Sequence, residues 1–304
     1  MGNDNIGNVG CKIRTANTAE SRCRLDLGLY RVAVITPLNA KFTGLDAQGQ
    51  PQTFVEWINE GIHAANPTTQ RFYPMPEIRG VEDASKDEGV FTDDYGEDTT
   101  LFDGTFGFTQ KFRPDACLNK RLFQFNNQQF RVIIFDNQNN AQVIRSSDGI
   151  HGEQIRIFVT SPKANTASEI SQPTIKFAAT KADEHQRREV IPTDLNWGEI
   201  KGLEDVVMNV VTDGGNSVIT FNVDCGGDDV TGELAVLSGE ATAWLKQVGD
   251  ATPVPLTPAP TYDAEKNVFE ATGLTTGNKI GIANPSVLYG LGVTNIECAD
   301  MAVV

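Results

Sequence analysis

The side chains able to do chemistry are few, and their spacing is unsuited to it. The histidines are His63, His151 and His185, and no two stand at metal-ligand or triad-like spacing. The chain has no H-E-x-x-H pair to hold a zinc-bound water, no G-x-S-x-G elbow and no G-x-x-x-x-G-K-[ST] phosphate loop. Its Ser and Cys residues have no visible activating base. Carboxylates are abundant, and a glycosidase pair set about 5–10 Å apart leaves no linear trace. Sugar grooves are lined with aromatics, however, and the 8% aromatic content here is mostly Phe in core-like alternation. Oxygen ligands for calcium gather at Asp93, Asp94, Glu97 and Asp98, and again at Asp224, Asp228 and Asp229. Neither group has the EF-hand pattern, and the run Asp136–Asn140 is broken by Gln138 and Ala141. These residues read as solvated turns. The expectation is a protein with no catalytic residue, no cofactor and no metal, and hence not an enzyme.

Cysteine usage agrees with this. Cys11, Cys23, Cys117, Cys225 and Cys298 are odd in number and match no zinc spacing. The start Met1–Ile6 has neither the cationic nor the apolar region of a secretory signal. The expectation is therefore cytoplasmic folding with reduced thiols. Cys225 with Cys298, and Cys11 with Cys23, are the pairs that could meet.

Charge narrows the partners further. A formal net charge of -15 and a pI near 4.6 repel nucleic-acid phosphates and anionic lipid. That excludes a DNA-binding or membrane-surface role, yet it suits a passage through which DNA must slide. No stretch approaches the roughly 18–20 apolar residues of a membrane span.

The elements that position these side chains are mostly strands. Residues 1–28 are polar and Gly/Asn-rich, an N-terminal arm. A strand over Leu29–Leu38 is closed by Pro37, and a short one follows near Lys41–Thr43. Thr53 and Glu56 have capping-box spacing ahead of an apolar stripe Phe54, Trp57, Ile58, Ile62, which predicts a helix over 53–65. Residues 80–104 read as a long acidic loop, an arm that would order against a neighbour. Phe106, Phe108 and Phe112 lie on one face of a strand, and Pro114 opens a helix carrying Leu118, Leu122 and Phe125. The apolar strand Phe130–Phe135, the turn Asp136–Asn140 and a second strand Ala141–Arg145 form a hairpin. Strands over Gln154–Thr160 and Thr174–Ala179 form another, and Lys181–Arg188 is a polar helix or linker. Beyond residue 201, strands are expected at Val206–Val211, Ser217–Val223, Gly232–Leu237, Ala243–Gln247, Val268–Ala271, Lys279–Ala283 and Val293–Cys298. Their spacing of about 10 residues fits an immunoglobulin-like sandwich.

Three features together resemble virion structural proteins of tailed bacteriophages, especially those of Bacteroidota-type hosts. They are Gly10-Cys11 with Cys23, Asp26-Leu27-Gly28 and Ile35-Thr36-Pro37; the helix-then-hairpin unit Pro114–Gly149; and the strand pair from Gln154 and Thr174 followed by the Ig-like tail. The nearest likeness is to a tail-tube or neck-ring protein. The resemblance implies a mainly β (β-rich α+β) fold. A tube-like β-barrel or sandwich domain with one or two flanking helices would span 29–200, and an Ig-like β-sandwich 201–304. It implies a homo-oligomeric ring, six-fold or twelve-fold, assembled in the host cytoplasm into a virion with other structural proteins. Genomic DNA would pass through an acidic lumen. Phe130, Val132, Ile134 and Val143 on the hairpin, with Asp93, Asp94, Glu97 and Asp98 on the loop, would make the inter-subunit contacts. A head-decoration protein, or a carbohydrate-binding or adhesin module, is the alternative.

Overall fold

The structure, a computed structural model, describes residues 28–304 apart from 68, 93, 96, 103, 162–165, 167–169, 182–183, 186 and 214–215. The arm at 1–28 (up to residue 27), Cys11, Cys23 and Asp93 lie outside the described residues. The chain is mainly β, 41% strand against 14% helix, in several antiparallel sheets with a few flanking helices. It divides into two compact units, Met1–Ile62 with Thr68–Lys201, and His63–Pro67 with Gly202–Val304.

The first unit contains β1 (Tyr30–Thr36), α1 (Phe54–Ile62), β2 (Tyr73–Pro74), β3 (Gly80–Asp83), β4 (Gly89–Thr92), β5 (Asp98–Phe102) and β6 (Gly107–Lys111). There follow α2 (Ala116–Leu122), β7 (Gln129–Asp136), β8 (Asn140–Ser146), β9 (Gly149–His151), β10 (Glu153–Val159), β11 (Thr174–Ala179) and β12 (Arg188–Pro192). One sheet runs β12-β8-β7-β10-β11-β6-β3, with β1, β2 and β9 attached off this path.

Strand β7 is the axis of that sheet. It pairs with β1 from Asp136 back to Arg131, with β10 over Gln129–Val132 and with β8 at Ile134 and Phe135. β10 and β8 thus take successive halves of β7, and the sheet forks. Gly152 sits where the chain leaves β9 to become β10, and a Cβ there would lie 2.6 Å from the Val132 carbonyl oxygen. Only glycine passes so close to another backbone.

One face of the sheet buries Val132 and Ile134 with Phe108, Phe177 and Ile155, beneath Leu122 of α2 and Phe125. Cross-strand pairing of Val32 with Phe135 and of Val34 with Ile133 puts these four on the opposite face, and all are buried. Continuous apolar sequence in β7 therefore reflects cover on both faces. Helix α1 starts with the expected capping box: Thr53 N–H donates to Glu56 and Glu56 N–H to Thr53 Oγ1. It ends at Ile62 rather than at 65, because His63–Pro67 belongs with the second unit.

The acidic stretch 80–104 is more ordered than a loop. β3 is an edge strand of the main sheet, and β4 and β5 form a separate two-stranded hairpin.

The second unit contains β13 (Glu204–Asp213), β14 (Asn216–Val223), β15 (Trp244–Val248), β16 (Val254–Pro255), β17 (Thr261–Asp263) and β18 (Val268–Thr272). β19 (Asn278–Ile282), a short helix α3 (Pro285–Gly290), β20 (Ile296–Glu297) and β21 (Ala302–Val303) complete it. One sheet runs β17-β18-β14-β13-β20 and the other β16-β15-β19-β21. Lettered in chain order with β20 set aside, these are D-E-B-A and C′-C-F-G, the division of strands in an immunoglobulin-type sandwich. Trp244, on strand C, is fully buried against Phe269 and Phe221, and its indole N–H donates to Leu237 O at 2.9 Å. The stretch Gly232–Leu237, expected as a strand, is part of a 3-10 helix over Thr231–Leu237. Leu234 and Leu237, three apart, are buried on its inner side, the repeat of a three-residue turn.

Two expectations about cysteine are corrected. Cys117 and Cys225 each take part in a disulfide and are not reduced; Cys298 is a free thiol, so Cys225 does not pair with Cys298. Burial pushes the Cys298 thiol up, away from its reactive form.

Candidate functional site

The residues expected to join subunits fall into two groups with different environments. Val132, Ile134 and Val143 are each 1% exposed, and Phe130 is partly buried against the same core as Val132 and Ile134. The chain itself covers them, where the sequence suggested that part of the cover would come from a neighbour. Asp94 and Glu97 are exposed between β4 and β5, and Asp98 opens β5.

That hairpin pairs with no other strand among the described residues. It is held to the body by an antiparallel bridge between Lys86 and Thr105. Its Val90 is exposed, Phe91 is 55% exposed and Tyr95 is 93% exposed. An isolated two-stranded ribbon is marginal in water, and apolar side chains exposed on one mark a contact surface.

A second cluster, unforeseen in the sequence, lies around the fork of the main sheet. On one side Arg131 donates to Leu38 O and Gly152 O, each at 2.9 Å, and pairs with Glu184 at 3.4 Å. His151 Nδ1 lies 2.8 Å from Arg131 Nη1 and 2.9 Å from Gly152 O. The guanidinium only donates, so it serves both acceptors and the imidazole accepts. Glu184 also accepts from the Gln154 N–H at 3.0 Å. On the other side Arg188 pairs with the buried Glu153 and donates to Gln142 Oε1 at 2.9 Å, where the Tyr30 hydroxyl also donates. His185 lies 3.3 Å from Glu153, at ion-pair distance but poorly aligned for a hydrogen bond. The Phe106 ring stacks on His185 at 4.2 Å and has the Arg188 guanidinium 4.1 Å from its centroid.

Buried charges persist only when paired and hydrogen-bonded, and here they fill the gap that the fork leaves in the backbone ladder. Among the described residues His151 contacts Arg131 and the Gly152 carbonyl, and His185 contacts Glu153 and Phe106, none of them a nucleophile of the triad kind. One signal in the sequence marks it. Glu153 occupies an inward position of the period-2 run Glu153, Ile155, Ile157, Val159, where an apolar residue is the rule.

The cluster couples the first unit to pH. Burial, then the Arg188 charge, hold His185 below the ordinary imidazole value; burial, then Arg131, do so for His151. Burial alone would raise Glu184, but the Gln154 N–H, Arg131 and Lys181 outweigh it and hold the carboxyl low. Below about pH 6.5 the unfolded chain takes up imidazole protons that the folded chain refuses, so stability falls with pH through the folded values. The Glu184 contribution is present above the ordinary Glu range and is lost at lower pH still. Relief of repulsion among the net -15 charges acts in the opposite sense. The comparison is therefore between proteins: wild type should lose more stability between pH 7 and 5.5 than the double variant His151→Gln, His185→Gln, read from thermal midpoints. Parallel curves would remove the histidines from the account.

The other candidate sites resolve as structural features. The Asp136 carboxylate accepts from the N–H groups of Gly28, Gln138 and Asn140 and from the Asn140 amide, so it caps a turn. Asp229 accepts from Thr231 N–H and from Asn267. No group of three or more His, Cys, Asp or Glu side chains suited to a metal occurs among the described residues. Trp244 is buried and Trp57 and Trp197 are half-buried, so none is an open sugar platform. Among the described residues no helix is long and apolar enough to cross a membrane. No protein-family model matches the chain, and no curated protein matches it.

Proposed function

We propose that the chain is a structural subunit of a phage virion that assembles with copies of itself into a ring or tube, a tail tube or neck ring. The observation that carries the reading is the β4–β5 hairpin, which exposes Phe91 and Tyr95 and joins no other strand among the described residues. A ribbon of this kind gains order by packing on a neighbour. The two-faced cover of β7 gives the first unit a packed core of its own, to which the hairpin is joined through the Lys86–Thr105 bridge. The net charge of -15 suits a wall along which DNA slides without adhering.

The test is sedimentation velocity with negative-stain imaging of the purified full chain. The partner protein is a variant in which residues 89–102 are replaced by a short Gly-Ser turn. Wild type is expected to form closed or stacked rings, and the variant to remain folded but unassembled. A wild-type chain that stays monomeric at high concentration defeats the proposal, and so does a variant that assembles as well as wild type.

A further inference from the structure

Among the described residues, the hydrophobic core covers one face of the β10–β11–β6 half of the main sheet. Its inner side chains, Ile155 and Ile157 on β10, Ile175 and Phe177 on β11 and Phe108 on β6, lie in the core. The alternate residues face outward. Arg156 and Phe158 on β10 are exposed, and Phe158, at 41%, stands directly across from Lys176 on β11. Ala178 pairs with Arg156, and Thr109 on β6 pairs with Lys176. Lys111, farther along β6, is neutralised by Glu82. Among the described residues Arg156 and Lys176 make no ion pair. The result is a face with an exposed aromatic ring beside two cations, on a chain that is otherwise strongly acidic.

The hairpin is its complement. Between Glu82 and Asp103 the sequence has nine acidic residues and one Lys, and the hairpin in this stretch exposes Val90 and Phe91. Resting on the assembly reading above, we infer that the acidic β4–β5 hairpin of one copy lies on the basic outer face of β10 and β11 of the next. Phe91 packs against Phe158, with carboxylates beside Arg156 and Lys176. Hairpin and face are different patches of one chain, so the contact is head-to-tail. Such contacts repeat until they close a ring or extend as a filament. The attraction is between exposed charges, so salt weakens it.

Charge reversal on each side separately, followed by mixing, tests the pairing. Variant A carries Arg156→Glu and Lys176→Glu; variant B carries Glu88→Lys and Asp94→Lys. Alone, A sets acid against acid and B base against base. Each should assemble about tenfold or more weakly than wild type, with an unchanged circular dichroism spectrum. Mixed in equal amounts, every contact is again between opposite charges, and assembly should return with A and B alternating. The inference is overturned if either variant assembles like wild type, or if the mixture does no better than its components. Wild type run alongside tests the underlying reading independently. A face reserved for a different protein would leave wild type monomeric, and that outcome rejects both.

Discussion

Glu153→Ala is expected to lower the stability of the first unit by about 3–5 kcal/mol, because it strands a buried guanidinium without a counter-charge. The Arg188 side chain is 14% exposed and that of Glu153 only 3%. Gln142 and Tyr30 would still accept from Arg188, but they are neutral and cannot replace the carboxylate. Loss of the pair would also loosen Phe106, which lies against both Arg188 and His185. Arg188→Met should cost a similar amount by leaving Glu153 with His185 alone. The double variant Glu153→Leu, Arg188→Met should recover most of the loss, since an apolar pair needs no desolvation. Urea unfolding of the two single variants and the double variant measures the coupling directly. Single variants costing less than about 1 kcal/mol would show the pair to be solvated, as surface pairs are.

The second large effect is in the sandwich. Trp244→Ala is expected to cost about 3–5 kcal/mol, the range for emptying a buried aromatic site. The ring is fully buried, with Phe269 5.0 Å away between centroids and Phe221 6.1 Å away. Its N–H also donates to the Leu237 carbonyl at the end of the 3-10 helix, which accepts from the Glu240 N–H as well. Trp244→Phe separates the two contributions. It keeps much of the packing and loses only the indole hydrogen bond, since the Leu237 carbonyl still accepts from the Glu240 N–H at 3.2 Å, for a smaller loss of about 0.5–1.5 kcal/mol. Calorimetry on both variants gives the ranking. Equal losses would assign the whole effect to the hydrogen bond, and no loss from Trp244→Phe would assign it to packing.

Local rules made much of the architecture legible. The capping box at Thr53 and Glu56, the apolar run of β7 and the turn-to-turn spacing of the sandwich each depend on neighbours in the chain, and each appears where expected. The fork cluster does not depend on neighbours. Tyr30, Gln142, Glu153 and Arg188 come together only after β1, β8, β10 and β12 have assembled around β7. The hairpin was hidden for another reason. β4 has no buried apolar face to impose a period of two, so the acidic, Gly-containing stretch around it looks like a loop. Gly232–Leu237 misled in the reverse direction, since a short apolar run does not distinguish a strand from a tight helical turn.

Residues 63–67 bear on how the chain is made and cut. His63 stacks on Tyr289 at 4.2 Å and its ring nitrogen contacts Thr294 O, so these residues belong to the second unit although α1 and β2 flank them in sequence. On the ribosome they emerge before nearly all of the strands of both units. The sandwich therefore cannot be completed as an autonomous C-terminal piece during synthesis; it closes on a segment that has been waiting since early in translation. A fragment beginning at Gly202 contains every strand of the sandwich and still lacks a part of it.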